Sequence, residues 1–166
     1  TPPDTDGASI PRELWSFVGG PFEGLYRDAA VNHDYECCVK NQPWRQVHRM
    51  FYDGMRANGV GKAQAGVMYW AVYFFGPRWD LPGAGADAAV RAARPNLTIG
   101  DARRAIRLLE ANPDLTLDEI ETLDGPAIRT KLRAAGVSAA DADALDDGRI
   151  IPLVDRLPPC VGTPSP

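Results

Sequence analysis

Several things are scarce in this 166-residue sequence, and each scarcity excludes something. Only two histidines occur, His33 and His48. Acid–base chemistry near neutral pH therefore has few places to sit. No apolar run approaches the length of a membrane span; the longest, Val67 to Phe75, ends at Gly76-Pro77. Strand signals are almost absent, with no sustained alternation and no β-branched runs. There is no surplus of basic residues: 18 Lys and Arg stand against 22 Asp and Glu, a net charge of −4. Nucleic acid is thus a poor partner. No glycine-rich phosphate loop, Gly-x-Ser-x-Gly elbow or Cys-x-x-Cys motif is present.

Aromatic residues are missing from the whole second part. All four Trp, five Tyr and five Phe precede Leu97. Up to Asn96 ten acids balance ten bases; from Leu97 onward twelve acids face eight bases, which places the entire −4 there. A segment without aromatics buries less area per residue. We therefore expect a main domain over residues 1–96 and a small helical appendage with an extended tail over 97–166. The appendage is a surface on which a protein partner could dock.

Cysteine is scarce as well: Cys37, Cys38 and Cys160. An odd count leaves a thiol over unless chains pair. Vicinal cysteines rarely bridge each other, but in an oxidising compartment one bridge can run from the 37/38 pair to the tail. That favours a secreted or periplasmic setting. The chain opens on Thr1, and Thr-Pro-Pro-Asp has no signal-peptide shape, which reads as a processed or trimmed product.

What is present is helix punctuation. Pro11 suits the first turn of a helix over Pro11 to Val18, stopped by Gly19-Gly20-Pro21. A second helix is expected from Gly24 to Val39 and a third from Pro43, after the Asn41-Gln42-Pro43 break, to Asn58-Gly59. The fourth, Gly61 to Phe75, is apolar all round and so is the central buried helix. Its aromatics, with Trp79, read as core. A short helix is expected over Ala86 to Arg94, and others near 99–111, 117–123, 126–135 and 139–146. Three are announced by capping-box spacings at Thr98/Asp101, Thr116/Glu119 and Ser138/Asp141. The tail from Leu157 to Pro166 is too rich in proline for helix. The expected fold is all-α: a helical-hairpin core of about four helices with a small helical appendage and a Pro-rich tail.

Both histidines fall in the hairpin formed by the second and third helices. His33 precedes Asn41 by eight residues and His48 follows it by seven, so antiparallel helices place them at similar height. Cys37, four residues after His33, shares its face, while Asp34 points about 100° away. Asp6, in the polar Thr5–Ile10 loop beside Gly7, could supply oxygens to a cation. An imidazole beside an acid is the usual general base, provided water or a hydroxyl reaches it.

The segments Thr5-Asp-Gly-Ala-Ser-Ile-Pro-Arg12, Ala29-Ala-Val-Asn-His-Asp-Tyr35, Arg49-Met-Phe51, Met55-Arg-Ala-Asn-Gly-Val60 and Met68-Tyr-Trp-Ala-Val72 resemble, in order, an uncharacterised and often phage-associated family, domain of unknown function 1353. The resemblance covers residues 4 to 76 and carries no reaction with it. Its His-Asp-Tyr motif is similar to the His-Asp motif of secreted and prokaryotic phospholipases A2. That likeness implies His33 as the base and Asp34 as a calcium ligand. The acid that orients the base would fall at His48, where the domain family commonly has Asp.

Three functions compete. The first is an ester or phospholipid hydrolase using His33, with calcium and a small-molecule or lipid substrate. The second is a zinc site built from His33, His48 and Cys37 with Asp6 or Asp34, structural or serving cell-wall hydrolysis. The third is a non-catalytic, phage-related module in which the His-Asp pair only ties helices together.

Overall fold

Proline and glycine set the helix ends. The computed structural model describes residues 24–144 and 148–153, with Pro11, Leu14 and Ser16 ahead of them. Among the described residues there are eight α-helices and no strand. They are α1 (Arg27–Val39), α2 (Trp44–Ala57), α3 (Lys62–Phe75), α4 (Ala88–Arg91), α5 (Ile99–Ala111), α6 (Leu117–Ile120), α7 (Gly125–Ala134) and α8 (Ala139–Asp143). One isolated antiparallel bridge joins Thr98 to Ile150. The fold is all-α. Of the helix expected over Pro11 to Val18, only Pro11, Leu14 and Ser16 are described; Leu14 is buried and donates its N–H to the Pro11 carbonyl. The Pro-rich tail, Asp6 and Cys160 lie outside the described residues.

The hairpin closes where the chain must leave the helical region. Lys40 adopts φ 52°, the left-handed conformation that ends a helix, and donates to the Glu36 carbonyl. Pro43 then caps α2, a position where its missing N–H costs nothing. α2 ends in a Schellman motif: Gly59, at φ +89°, donates to the Arg56 carbonyl, and Val60 donates to that of Met55. α1 starts at Arg27 rather than Gly24 because Gly24 sits at φ +91° and turns the chain. The capping signals give full boxes at Thr98/Asp101 and Thr116/Glu119. At Ser138 the hydroxyl accepts from the Asp141 N–H and donates to its carboxylate at 2.6 Å. Two short helices fall short of their expected spans. α4 is held between its Asp87 cap and extended Ala92, and α6 stops at Ile120 because Asp124 already caps α7.

α3 is the central rod, with α2 on one side and α5 and α6 on the other. Ten of its residues are buried, among them Tyr69, Trp70, Phe74 and Phe75. The aromatic-free part joins the same hydrophobic cluster through Leu108, Leu109, Ile120, Leu123, Ile128 and Leu132. Each fully buried side chain of this kind contributes about 1.5–3 kcal/mol. Trp70 fixes the contact, donating its indole N–H to the Leu123 carbonyl at 2.8 Å. An ionic joint lies beside it. Arg49 of α2 donates to Glu121 at 2.8 and 2.9 Å, and Arg45 and the Tyr69 hydroxyl reach the same carboxylate. None of the described helices is long and apolar enough to cross a membrane.

Candidate functional site

α1 and α2 bring His33, His48 and Cys37 into one dry cluster. His33 Nε2 lies 2.8 Å from His48 Nδ1, within hydrogen-bond distance. His48 Nε2 lies 3.1 Å from the carbonyl oxygen of Pro77. A carbonyl only accepts, so His48 must carry its proton on Nε2 and offer a lone pair at Nδ1. His33 therefore donates from Nε2. In the neutral ring its Nδ1 is then left with a lone pair. One backbone oxygen in the loop after α3 thus fixes the tautomers of both rings.

That loop is itself held in place. Arg94 donates to the Gly76 carbonyl at 2.7 Å, and the Trp79 indole donates to that of Gln42 at 2.8 Å. The Arg78 guanidinium lies 4.4 Å over the Trp44 ring. Gly76 is required by space, since a Cβ there would fall on the Val72 carbonyl oxygen and 3.3 Å from His48 Cε1.

On the other side of His33 stands Asp34. Its Oδ1 lies 3.9 Å from His33 Nδ1, too far for a direct hydrogen bond. That oxygen is buried and has no partner. A lone pair and a carboxylate oxygen, both acceptors, therefore face each other, and the gap calls for a donor such as water. Phe51, Trp44 and Trp79 wall the rings in, with centroids 4.8 Å from His33 for Phe51 and 5.6 and 6.3 Å from His48 for the two tryptophans. The expected solvent-reachable meeting point is not found at the rings. The His33 side chain is 0% exposed, and Asp34 alone keeps some exposure, at 15%. Burial, then the neighbouring His33, pushes His48 well below its ordinary pKa, so it stays neutral.

Cys37 is a free, buried thiol, 3.5 Å from His33 Nε2 and 3.9 Å from Nδ1. Similar distances to both nitrogens put the sulfur beside the ring rather than along a lone pair. Burial, then the negative charge of Asp34, raises its pKa, so it is a thiol and not a thiolate. Cys38 is disulfide-bonded. Asp28 is exposed and Asp53 is exposed, and neither joins the cluster.

The donor set decides between cations. Calcium takes six to eight oxygen ligands. The convergent atoms here are two imidazole nitrogens and one sulfur, with no carboxylate among them. Calcium does not fit the described residues. The features that no sequence pattern pointed to are the Pro77 carbonyl, 29 residues from His48, and the covering of the rings by Trp44 and Phe51. Tertiary packing supplies both.

The fold and site thus define an all-α helical-hairpin domain with a buried His–His pair. Residues 3–72 match the family described as "Protein of unknown function (DUF1353)", so this hairpin part of the chain is similar to that family. The chain is 57% identical over 76 residues to the uncharacterized protein y4jT of Sinorhizobium fredii, covering 46% of this chain and 23% of that protein. It is 51% identical over 81 residues to the uncharacterized protein y4iH of the same organism, covering 48% of this chain and 34% of that one. The chain thus spans about a quarter to a third of the length of these curated relatives. Neither the family description nor these names records a phage, a phospholipase or any activity. No solved structure matches the chain.

Proposed function

We propose that the hairpin is a hydrolytic centre in which His33 Nδ1 is the general base, acting on a water held between it and Asp34. The observation that carries this is the ordered run from the Pro77 carbonyl through His48 to His33, which leaves the base nitrogen facing an unpartnered carboxylate oxygen. His48 takes the place of an orienting acid: it holds the ring of His33 and its tautomer without bringing a negative charge. The likeness of His33-Asp34 to the His-Asp pair of phospholipases A2 puts carboxylic esters, phospholipids included, first among substrates. Because the rings are covered, the substrate approaches from the Asp34 side, where exposure remains.

The sealed rings also support a second reading, in which the pair only ties α1 to α2 and no reaction occurs. One experiment separates them. Metal-free protein is assayed against a panel of short-chain esters and phospholipid vesicles. His33→Ala should lower the rate about 100- to 10,000-fold, the usual worth of a positioned base, with the helical circular dichroism retained. A wild-type protein that cleaves nothing, or a variant that cleaves equally well, would leave the packing reading.

A further inference from the structure

The convergent donors of the hairpin share one chemical character. The ligand atoms of His33, Cys37 and His48 all lie within 4.8 Å of one another, and all three residues are buried. Two imidazoles and a sulfur suit zinc-class ions and not the hard cations. The surroundings have the form that such centres need. The N–H of His48 already rests on the Pro77 carbonyl, so its lone pair points inward at Nδ1. A carboxylate oxygen waits behind His33. Metal-ligating histidines usually rest their second nitrogen on a carbonyl or a carboxylate.

We propose that His33, Cys37 and His48 bind a thiophilic divalent ion of the zinc class, and that the ion's arrival moves the His33 N–H from Nε2 to Nδ1, against Asp34. The ion-binding part stands on the donor set alone; its effect on catalysis rests on the hydrolase reading. The chemistry balances. The Cys37 S–H loses its proton to solvent as the sulfur–metal bond forms. His48 already presents a lone pair and loses nothing. His33 gives up the Nε2 proton and takes one at Nδ1, so one proton leaves per ion bound. The imidazole nitrogens must part from 2.8 Å to roughly 3.3 Å, the separation that two ligands near 2.05 Å make in a tetrahedron. The Cys37 sulfur must turn from the ring's side toward the new centre. Loading then converts the base nitrogen into a donor that reaches Asp34 across the 3.9 Å gap through a bridging water, and the ion acts as an off-switch for the site.

The test titrates metal-free protein with cobalt(II) and then displaces it with zinc(II). One ion per chain is expected, with visible bands of a tetrahedral site and a thiolate charge-transfer band. Cys37→Ala should abolish that band and weaken binding at least tenfold; Cys37→Ser serves if the alanine variant loses its helical circular dichroism. With only two histidines in the chain, imaging their imidazole nitrogens by 15N NMR is direct, and zinc should shift the His33 proton to Nδ1. No uptake, uptake indifferent to both Cys37 variants, or an unmoved His33 proton overturns the proposal. Ester hydrolysis on the same samples keeps the two ideas apart. Ion uptake by a protein that hydrolyses nothing retains the site and removes the hydrolase, and hydrolysis without uptake does the reverse.

Discussion

His33 and His48 meet across the α1–α2 turn with Nε2 and Nδ1 2.8 Å apart, and the order of donor and acceptor between them is dictated from outside the hairpin. The Pro77 carbonyl takes the His48 proton, so His48 can only accept from His33. Chemistry at His33 therefore depends on a loop that is remote in sequence.

Restoring a carboxylate should test that dependence. His48→Asp places an acid at the position the resemblance gives to the orienting acid, and a negative charge stabilises the imidazolium that a base becomes. The ester-hydrolysis rate of this variant should equal or exceed that of the wild type. His48→Leu keeps the bulk but removes the acceptor and should lower the rate about 100-fold or more, a fair share of what a positioned base contributes. Steady-state kinetics on both variants checks this.

Removing calcium should change nothing. A reaction of the phospholipase A2 kind would need calcium with Asp34 as ligand, yet the convergent donors among the described residues are nitrogen and sulfur. Hydrolysis should be the same with EGTA as with added calcium. A strict calcium requirement would show that ligands outside the described residues complete an oxygen site.

Gly76→Ala should reach the site through packing. The new Cβ would fall on the Val72 carbonyl oxygen and crowd His48 Cε1, so the loop carrying Pro77 must shift. A cost of about 1–3 kcal/mol is expected from overpacking, read by urea unfolding. Hydrolysis should fall with it in folded protein, because the Pro77 acceptor moves.

The ionic joint should give the protein an acid-sensitive step. Burial alone would raise the Glu121 pKa, but hydrogen bonds from Arg45, Tyr69 and Arg49 outweigh it and hold the carboxylate below its ordinary value. A depressed acid contributes stability that is present above its unfolded pKa and lost as pH falls through its folded one. Stability should therefore decline below about pH 4.5, the ordinary range for Glu. Glu121→Gln should cost roughly 1–2 kcal/mol at neutral pH, a modest figure because both arginines are partly exposed and screened. It should also flatten the acid limb of stability against pH in chemical denaturation.

Much of the fold is legible locally. The Asn41–Pro43 break, the Asn58-Gly59 stop and the Thr98 and Thr116 boxes act through the backbone of their own few residues, and they mark α1, α2, α5 and α6. The equal height of His33 and His48 follows from counting along two antiparallel rods. Helix rotation does not, and neither does a partner 29 residues away, because both are set when α3 and its following loop pack down. The covering of the rings by Trp44, Phe51 and Trp79 is of the same kind. So is the joining of Arg45 and Arg49 to Glu121: the four-residue arginine spacing shows one helix face and says nothing of the acid that meets it.

The most direct measurement is of the two imidazoles themselves, by 15N–1H NMR on neutral, metal-free protein. Both rings should carry their proton on Nε2, with the His33 proton shared toward His48 and His33 Nδ1 bare. A His33 ring protonated at Nδ1 and bare at Nε2 would contradict the arrangement, because no lone pair would then be left beside Asp34 to serve as a base.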